Sequence, residues 1–495
     1  MEHLDVVVVG AGLSGVCAGH YLQQDCPWAT FAIFEARGAM GGTWDLFRYP
    51  GVRSDSDMFT LGFPFRPWRG SRMIVDGTSI REYIAETARE EGLDARIRYH
   101  HRVVSAAWDS GESRWHLEVE RTDTGERVEV TCGFLLSCSG YYRYDHGYQP
   151  DFAGTERFRG ALVHPQHWPE ELDYEGKRVV VIGSGATAIT VVPAMAADAE
   201  HVTMLQRSPT YIASVPASNP LVGLAHRVLP GTVGPQLVRW AHALGTQGFY
   251  TISQRFPGIV RRVLQAGVKR QLPRGYDMAH FTPRYDPWDE RMCVVPGGDL
   301  FDAIKRGRAS VVTDHVDTFT ETGIQLSSGT HLDADVVVTA TGLELLFLGG
   351  IDLRVDGEPV DLASRLTYKG MMLEGVPNLA IAMGYTNASW TLKCDLTAQY
   401  VTRLLNHLHE NDLARCVPRN HDPAVAREPL LGLQSGYIQR AVDRMPQQGS
   451  KFPWRVYQSF LSDYRAMKLG KLDDGVMEFD SPAGVAGPRA VQRAG

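Results

Sequence analysis

The sequence predicts an α/β fold in which two Rossmann-like dinucleotide-binding domains carry a helical insertion. Three observations lead to this prediction. A strand, a glycine-rich turn and a helix open the chain, and the same unit recurs near residue 178. The segment between residues 213 and 290 has helical apolar spacing instead. Two copies of one strand–turn–helix unit indicate two dinucleotide sites.

The first unit begins with the apolar run 5–9, and a GxGxxG turn follows it. Gly10 allows the strand to turn sharply, and Gly12 lets the backbone approach a pyrophosphate at the helix N-terminus. Gly15 permits close packing of helix on strand. Glu35 stands about 20 residues further on, where a carboxylate can accept a hydrogen bond from a ribose hydroxyl. This unit is predicted to bind FAD or an NAD-type nucleotide.

The second unit repeats the arrangement with one change. The strand at 178–182 leads into a turn that contains Gly183 and Gly185, and Ala188 stands where a third glycine would be. Thr187 precedes that alanine at the start of the predicted helix. These residues are candidates for binding a second nucleotide.

The end of the next strand distinguishes the two sites. Where the first unit has Glu35, the second has Gln206 followed by Arg207 and Ser208. A carboxylate there would repel a 2′-phosphate, whereas an arginine with a serine would bind it. The second site is therefore predicted to take NADPH; the alternative is a surface arginine with no such role.

Other patterns complete the secondary structure. Strands are predicted across 97–142, with 115–119 and 127–130 joined as a hairpin and 134–136 as another strand. An amphipathic helix is predicted at 391–408.

These patterns divide the chain into six segments. The first part of an FAD-binding domain is predicted at 1–154, the first part of an NADP-binding domain at 155–212, the helical insertion at 213–290, the second part of the NADP-binding domain at 291–342, the return of the FAD-binding domain at 343–480, and a flexible tail at 481–495.

Composition excludes several classes of protein. The net charge is −7, from 50 basic and 57 acidic residues, which argues against a broad nucleic-acid surface. The chain lacks an apolar stretch of about 18 residues, which argues against a transmembrane segment. The seven cysteines are scattered without a CxxC pair, so we expect a cytoplasmic protein without a cysteine-bound metal. The oligomeric state is left open.

Paired glycines recur shortly after Glu35. Gly42, Thr43 and Trp44 suggest backbone packed against a flat ligand, with the indole beside a ring. The alternative is a plain turn with a core tryptophan.

The segment 158–169 has the pattern FxGxxxHxxxWP. Its two prolines forbid a regular helix, so it is predicted to be an extended linker into the second unit. From the residues alone, a histidine and a tryptophan there indicate only a hinge or a core plug. The pattern residues are Phe158, Gly160, His164 and Trp168.

This pattern resembles the fingerprint of type I Baeyer–Villiger monooxygenases, and the two nucleotide units flank it in that family's order. The resemblance covers nearly the whole chain and extends to the runs 41–44, 48–51 and 385–391. It implies FAD, NADPH and O₂ as cofactors and co-substrate. It also implies conversion of ketones to esters or lactones through a C4a-peroxyflavin, with oxidation of sulfides or thioamides as a related activity.

The resemblance also implies roles for particular residues. Asp55 falls where the family has an active-site carboxylate, with Asp57 as the neighbouring candidate, and Arg291 falls where it has an active-site arginine. A guanidinium beside the peroxide would keep it anionic and stabilise the oxyanion of the adduct. Glu290 departs from the lysine that the family often has there. The alternative for Arg291 and Asp55 is a surface salt bridge.

Two other functions remain as alternatives, and a third is rejected. A flavin N- or S-monooxygenase without ester-forming activity has a similar layout. A two-nucleotide disulfide reductase is rejected, because Cys17 and Cys26 do not form the close redox pair that it needs. A non-catalytic nucleotide sensor could use the same folds, although Arg291 and Asp55 argue against it.

Overall fold

The computed structural model describes residues 1–219, 222, 229, 231 and 233–481. Of the predicted features, the apolar spacing at Leu221, Leu224 and Val228 lies outside these residues, as does the tail beyond Ser481. Across the described ranges, no helix is both long and apolar enough to cross a membrane.

The first sheet carries the first glycine-rich turn. Its strands are β1 (Glu2–Val9), β2 (Phe31–Phe34), β3 (Ile97–Arg98), β4 (His101–Asp109), β5 (Arg114–Arg121), β6 (Arg127–Ser137), β17 (Asp352–Val355), β18 (Glu358–Pro359) and β21 (Leu379–Ile381). The order is β18-β17-β4-β5-β6-β1-β2-β3, with β21 paired to β6. Strands β1, β2 and β3 are parallel, as the strand–turn–helix–strand pattern requires.

The second sheet carries the second glycine-rich turn. Its strands are β7 (Ala161–Val163), β8 (Arg178–Ile182), β9 (His201–Gln206), β12 (Ala309–Thr313) and β16 (Val336–Thr339), in the order β12-β9-β8-β16-β7. All their pairings are parallel.

Five smaller sheets complete the strands. They are β10 (Ile212–Val215) with β11 (Cys293–Pro296); β13 (Val316–Thr320), β14 (Gly323–Leu326) and β15 (His331–Asp333); β19 (Thr367–Tyr368) with β20 (Met372–Leu373); β22 (Arg415–Pro418) with β25 (Met477–Asp480); and β23 (Arg427–Pro429) with β24 (Gln447–Gly449).

The helices of the described residues surround the two larger sheets. They are α1 (Leu13–Asp25), α2 (Thr43–Leu46), α3 (Met58–Leu61), α4 (Gly77–Glu90), α5 (Ala186–Met195), α6 (Val233–Arg255), α7 (Pro257–Gln271), α8 (Asp299–Lys305), α9 (Trp390–Glu410), α10 (Gly436–Gln439) and α11 (Phe460–Asp463). The helix predicted at 391–408 corresponds to α9, which packs against α1. Both α6 and α7 lie within the predicted helical insertion.

One prediction about strands needs correction. The sequence suggested separate strands at 127–130 and 134–136, but β6 runs through both. Its first part pairs antiparallel with β5 and its second part lies between β1 and β21. Gly133 does not interrupt the strand, because β1 pairs with β6 on both sides of it, from Val130 to Ser137.

The segment 158–169 is not simply a linker. Residues Ala161–Val163 form β7, the edge strand beside β16 in the second sheet, and Pro165–His167 form a 3₁₀ turn. The expected absence of a regular helix is confirmed. The backbone between Gly160 and Pro165 is nevertheless part of the second sheet.

Candidate active site

One cavity of 1690 Å³ reaches both glycine-rich turns. It is lined by residues that follow β1, β2, β8 and β9, by the segments that cross between the two sheets, and by the loop around α10. The carboxyl ends of parallel strands are where α/β sheets bind ligands. The cavity is therefore the candidate active site.

The first turn has the geometry that a pyrophosphate site needs. Gly10 has φ +103°, and a Cβ there would lie 2.6 Å from the carbonyl oxygen of Cys138. A Cβ on Gly15 would lie 1.8 Å from the Gly10 oxygen, so helix α1 packs directly on the turn. Gly12 is the N-cap of α1 and offers no side-chain cap. The free N–H groups of the first helical turn therefore suit an anionic ligand.

Glu35 is held ready to accept hydrogen bonds. Its carboxylate accepts the N–H of Ala11 at 2.8 Å and the N–H of Arg37 at 2.9 Å. Burial raises the pKa of Glu35, and the two N–H groups oppose this rise in part. The residue lines the cavity next to the first turn, where the sequence predicts a ribose.

The second turn repeats this geometry. Gly183 has φ +142°, and a Cβ there would lie 2.3 Å from the Ala340 carbonyl oxygen. Gly185 is the N-cap of α5, again without a side-chain cap, and nothing lies within 4 Å of its missing Cβ. Thr187 lines the cavity, whereas Ala188 is buried in the core behind it. This second uncapped helix N-terminus fits a second pyrophosphate.

Backbone hydrogen bonds show which residue of the second unit occupies the position equivalent to Glu35. The Gly10 N–H donates to the Phe34 oxygen at 2.7 Å, and the Gly183 N–H donates to the Leu205 oxygen at 2.8 Å. The residue equivalent to Glu35 is therefore Gln206. Its amide is buried and donates to the His280 oxygen and to Thr313, so the position carries no charge.

Arg207 and Ser208 follow Gln206 and are exposed on the cavity wall. The Ser208 carbonyl accepts a hydrogen bond from Ser184 of the second turn at 3.0 Å, which ties the two segments together. Glu290 also lines the cavity; burial raises its pKa, and the nearby charge of Arg207 opposes that rise.

The paired glycines pack against the first turn. Gly41 and Gly42 have φ +116° and +56°, and a Cβ on Gly42 would lie 3.3 Å from the Gly12 Cα. Thr43 lies 3.4 Å from the Tyr144 hydroxyl. Trp44 both lines the cavity and packs on the adjoining core. Trp44 therefore fits both predictions: it borders the cavity, as an indole beside a ligand ring would, and it also packs on the core.

Arg291 and Asp55 meet in the cavity, with Arg291 Nε 3.9 Å from Asp55 Oδ2. Burial raises the pKa of Asp55, and Arg291 and Arg53 oppose that rise in part. Burial lowers the pKa of Arg291, whereas Tyr142, Asp55, Tyr437 and Tyr141 together raise it, so that it lies above its usual value. The guanidinium is therefore a fixed positive charge.

The neighbouring candidate, Asp57, has a different environment. It caps α3, accepting the N–H of Thr60 at 3.0 Å, and its Oδ1 lies 3.4 Å from His242 Nδ1. It does not line the cavity. The geometry favours Asp55 as the carboxylate beside the arginine.

Aromatic residues that the sequence did not single out surround Arg291. Tyr141, Tyr142 and Tyr437 all interact electrostatically with it. Tyr141 also stacks on Trp390, with ring centroids 5.0 Å apart. Tyr437 belongs to α10, far along the chain, and no local pattern could have placed it here.

The fingerprint residues line up along the second sheet and not along the cavity. Phe158 packs against Phe319 with ring centroids 5.9 Å apart, and a Cβ on Gly160 would lie 2.4 Å from the Asp335 oxygen. Trp168 packs on the core that includes α5. These three residues fix the segment to the nucleotide-binding sheet.

His164 contacts both segments that connect the two larger sheets, residues 138–160 after β6 and 340–351 after β16. Its Nε2 lies 3.3 Å from the Gly342 oxygen, and its Nδ1 accepts the Gln166 N–H at 3.2 Å. Tyr148 on the outgoing segment also donates its N–H to the Gly342 oxygen. Gln166, which no sequence pattern indicated, donates to the Arg143 oxygen at 2.8 Å. The segment 158–169 thus makes hydrogen bonds to both segments that connect the two larger sheets.

Comparisons with known proteins agree with this geometry. A flavin-binding monooxygenase-like family model matches residues 62–223, and an NAD(P)-binding Rossmann-like domain model matches residues 8–70. The chain is 51% identical over 489 residues to the FAD-containing monooxygenase EthA of Mycobacterium tuberculosis, covering 98% of this chain and 100% of that protein.

Two solved structures share the fold. An oxidised steroid monooxygenase bound to NADP has a TM-score of 0.76 at 22% identity, covering 97% of this chain and 100% of its own. A complex of OTEMO with FAD and NADP has a TM-score of 0.68 at 21% identity, covering 84% and 86%. At these identities the likeness concerns the fold.

Proposed function

Because the chain belongs to the family of FAD-containing monooxygenases, we propose that it is a Baeyer–Villiger enzyme that converts ketones to esters or lactones. As a member of this family, it is an oxidoreductase that uses FAD and NADP. The balanced reaction joins a ketone, O₂, NADPH and a proton, and yields an ester, NADP⁺ and water. Oxidation of sulfides or thioamides is a related activity of the same site.

The charged pair in the cavity is the observation that carries this proposal. Arg291 is a permanent cation beside Asp55, and both line the cavity that the two uncapped helix N-termini reach. A fixed guanidinium stabilises negative charge that develops on a reacting oxygen. Asp55 holds the guanidinium in place.

The two nucleotide sites follow from the two turns. In our proposal Gly10, Gly12 and Glu35 bind FAD, with the pyrophosphate at the N-terminus of α1. Gly183, Gly185 and the start of α5 bind the NADPH pyrophosphate. When bound, FAD reduced by NADPH activates O₂.

The remaining residues would shape the reaction. Arg207 and Ser208 would bind the 2′-phosphate of NADPH, because Gln206 leaves that position without a negative charge. Trp44 and Gly42 would pack beside the flavin. Phe158, Gly160, His164 and Trp168 would keep the two nucleotide units in register. The six-segment division of the chain belongs to the same proposal.

A product assay tests the function. The purified, FAD-loaded protein is supplied with NADPH, ¹⁸O₂ and a panel of linear, cyclic and aryl ketones together with thioethers and thioamides. We expect mass spectrometry to detect an ester or lactone that carries one ¹⁸O atom. Sulfoxide formation with no ester from any ketone would instead support a flavin N- or S-monooxygenase.

A further inference from the structure

Two consecutive helices of the insertion expose an apolar face. In α6, Leu237 and Ile252 are 55% and 52% exposed, and in α7, Ile259 and Val263 are 59% and 65% exposed. Phe256, at the junction of the helices, is 52% exposed. Soluble proteins seldom expose so many large apolar side chains on neighbouring turns without a partner. We call this surface the hairpin face.

Helical spacing makes the hairpin face continuous. Along α6, positions 237, 241, 244, 248 and 252 are leucine, alanine, leucine, glycine and isoleucine. Steps of three and four residues place them on one side of a helix. Along α7, the step from Ile259 to Val263 does the same. The face is thus an apolar stripe and not a set of isolated side chains.

The same segment has an unusual charge. Residues 201–276 contain nine Arg or Lys and no Asp or Glu, although the whole chain is acidic at −7. Exposed basic residues border the apolar stripe, and no ion pair is found for any of them among the residues that the structure describes. They are Arg255, Arg262, Lys269, Arg270 and Arg274.

We propose that the hairpin face binds peripherally to a lipid surface with anionic headgroups. An apolar stripe bordered by unpaired arginine and lysine is the chemistry that places a helix in the plane of such a surface. A second copy of the chain fits less well, because a symmetric contact through this face would bring the two basic borders together.

The opposite side of α6 connects this surface to the active site. The Arg239 guanidinium is buried and donates to the carbonyl oxygens of Thr60 and Gly62 at 3.0 and 2.6 Å. His242 lies beside Asp57, two residues after Asp55. Helix α6 therefore lies between the hairpin face and the segment that follows Asp55. A lipid surface on the hairpin face would concentrate an apolar substrate on that side of the protein. The lipid-binding proposal does not depend on which oxygenation the enzyme performs.

Vesicle sedimentation of the full-length, FAD-loaded protein tests the proposal. The vesicles are phosphatidylcholine alone or phosphatidylcholine with 30% phosphatidylglycerol, a composition that sets the anionic charge directly. We expect binding to the anionic vesicles only, weakened by added salt. Replacing Arg262 and Lys269 by Gln should weaken binding about 25-fold, since each basic residue near such a surface contributes about fivefold.

Ile259→Gln with Val263→Gln removes apolar contact and should weaken binding at least about tenfold. Both positions are exposed and neither lines the cavity, so oxygenase activity in vesicle-free solution should not change. The matched control removes two exposed arginines of the first sheet that do not line the cavity, Arg127→Gln with Arg354→Gln, and should bind as the parent does.

Two results would overturn the proposal. One is binding that is equal on neutral and anionic vesicles, or absent from both. The other is a dimer in analytical ultracentrifugation without vesicles that the Ile259→Gln, Val263→Gln variant dissociates. That result would assign the hairpin face to a second copy of the chain.

Discussion

Arg291 Nε lies 3.9 Å from Asp55 Oδ2 in the cavity that the N-termini of α1 and α5 both reach. This distance is longer than a direct hydrogen bond, which is about 2.9 Å between nitrogen and oxygen. Asp55 therefore attracts the guanidinium electrostatically without accepting its Nε–H in a direct hydrogen bond. In our proposal the guanidinium keeps its donors for a ligand, as a catalytic cation needs.

The first prediction concerns FAD. Gly12 has φ −87°, an ordinary value for any residue, and the nearest atom to a Cβ there is 3.6 Å away. Gly12→Val should therefore fold, yet its branched side chain would occupy the place of the pyrophosphate. We expect purified Gly12→Val to lack the yellow colour and flavin absorbance of the parent protein.

Gly185→Val is the matched control for that experiment, since Gly185 occupies the same position in the second turn. It should keep FAD and bind NADPH at least about tenfold more weakly. If Gly12→Val retained stoichiometric FAD, the first turn would not be the FAD site.

The second prediction concerns the 2′-phosphate. A hydrogen bond to a charged group contributes about 1.5–3 kcal/mol, so Arg207→Ala should raise the KM for NADPH about tenfold or more. The KM for NADH should change little, because NADH lacks the phosphate. Steady-state kinetics with both nucleotides measures this difference, and equal changes for both would show that Arg207 does not read the phosphate.

The third prediction concerns the connection between the nucleotide units. His164 contacts Gly342 on one connecting segment and packs against Gly147 on the other, but it does not line the cavity. His164→Ala should therefore retain FAD and lose about tenfold or more in oxygenation, because the two units lose their register. Full oxygenation by this variant would leave His164 with a packing role alone.

The fourth prediction is a pH dependence of stability. Burial lowers the pKa of His164 below its ordinary 6.5, and Nδ1 must be unprotonated to accept the Gln166 N–H. The unfolded chain then binds this proton more readily than the folded chain. The contribution of neutral His164 to the free energy of unfolding is therefore fully present above about pH 6.5 and is lost as the pH falls. Between pH 7 and pH 5, the Tm of the parent should fall more steeply than that of His164→Gln. Parallel curves would contradict the neutral histidine.

Much of the nucleotide-binding architecture could be predicted because it depends on local signals. A few consecutive residues are enough to recognise a glycine with positive φ, an uncapped helix or a carboxylate at the end of a strand. The replacement of Glu35 by Gln206 was visible in the same way. The hydrogen bonds of Gly10 and Gly183 later gave its structural basis.

Contacts between distant segments could not be predicted. Tyr437 reaches Arg291 from α10, and Gln166 reaches Arg143 from the 3₁₀ turn, although neither residue type is unusual in its local sequence. Likewise, nothing local shows that β7 pairs with β16, because that pairing depends on where the chain returns after the insertion.

The fifth prediction separates the positioning carboxylate from the cation. Asp55→Asn keeps the shape of the side chain but removes its charge, so Arg291 should remain in the cavity with less restraint. We expect a partial loss of product per NADPH, smaller than that caused by removing the arginine. An effect larger than that of Arg291→Ala would mean that Asp55 acts directly.

Product yield in Arg291→Ala tests the central proposal most directly. The variant should still oxidise NADPH, because hydride transfer depends on stacked rings and not on this charge. Oxygenated product should fall about 10²–10³-fold, as is typical when one charge-stabilising donor is removed, with hydrogen peroxide released instead. Arg291→Lys should recover only part of the yield, since it keeps the charge but loses the planar fork. The measurement is the ester and hydrogen peroxide formed per NADPH oxidised. We expect peroxide with almost no ester, and a parental ester yield would contradict a catalytic role for Arg291.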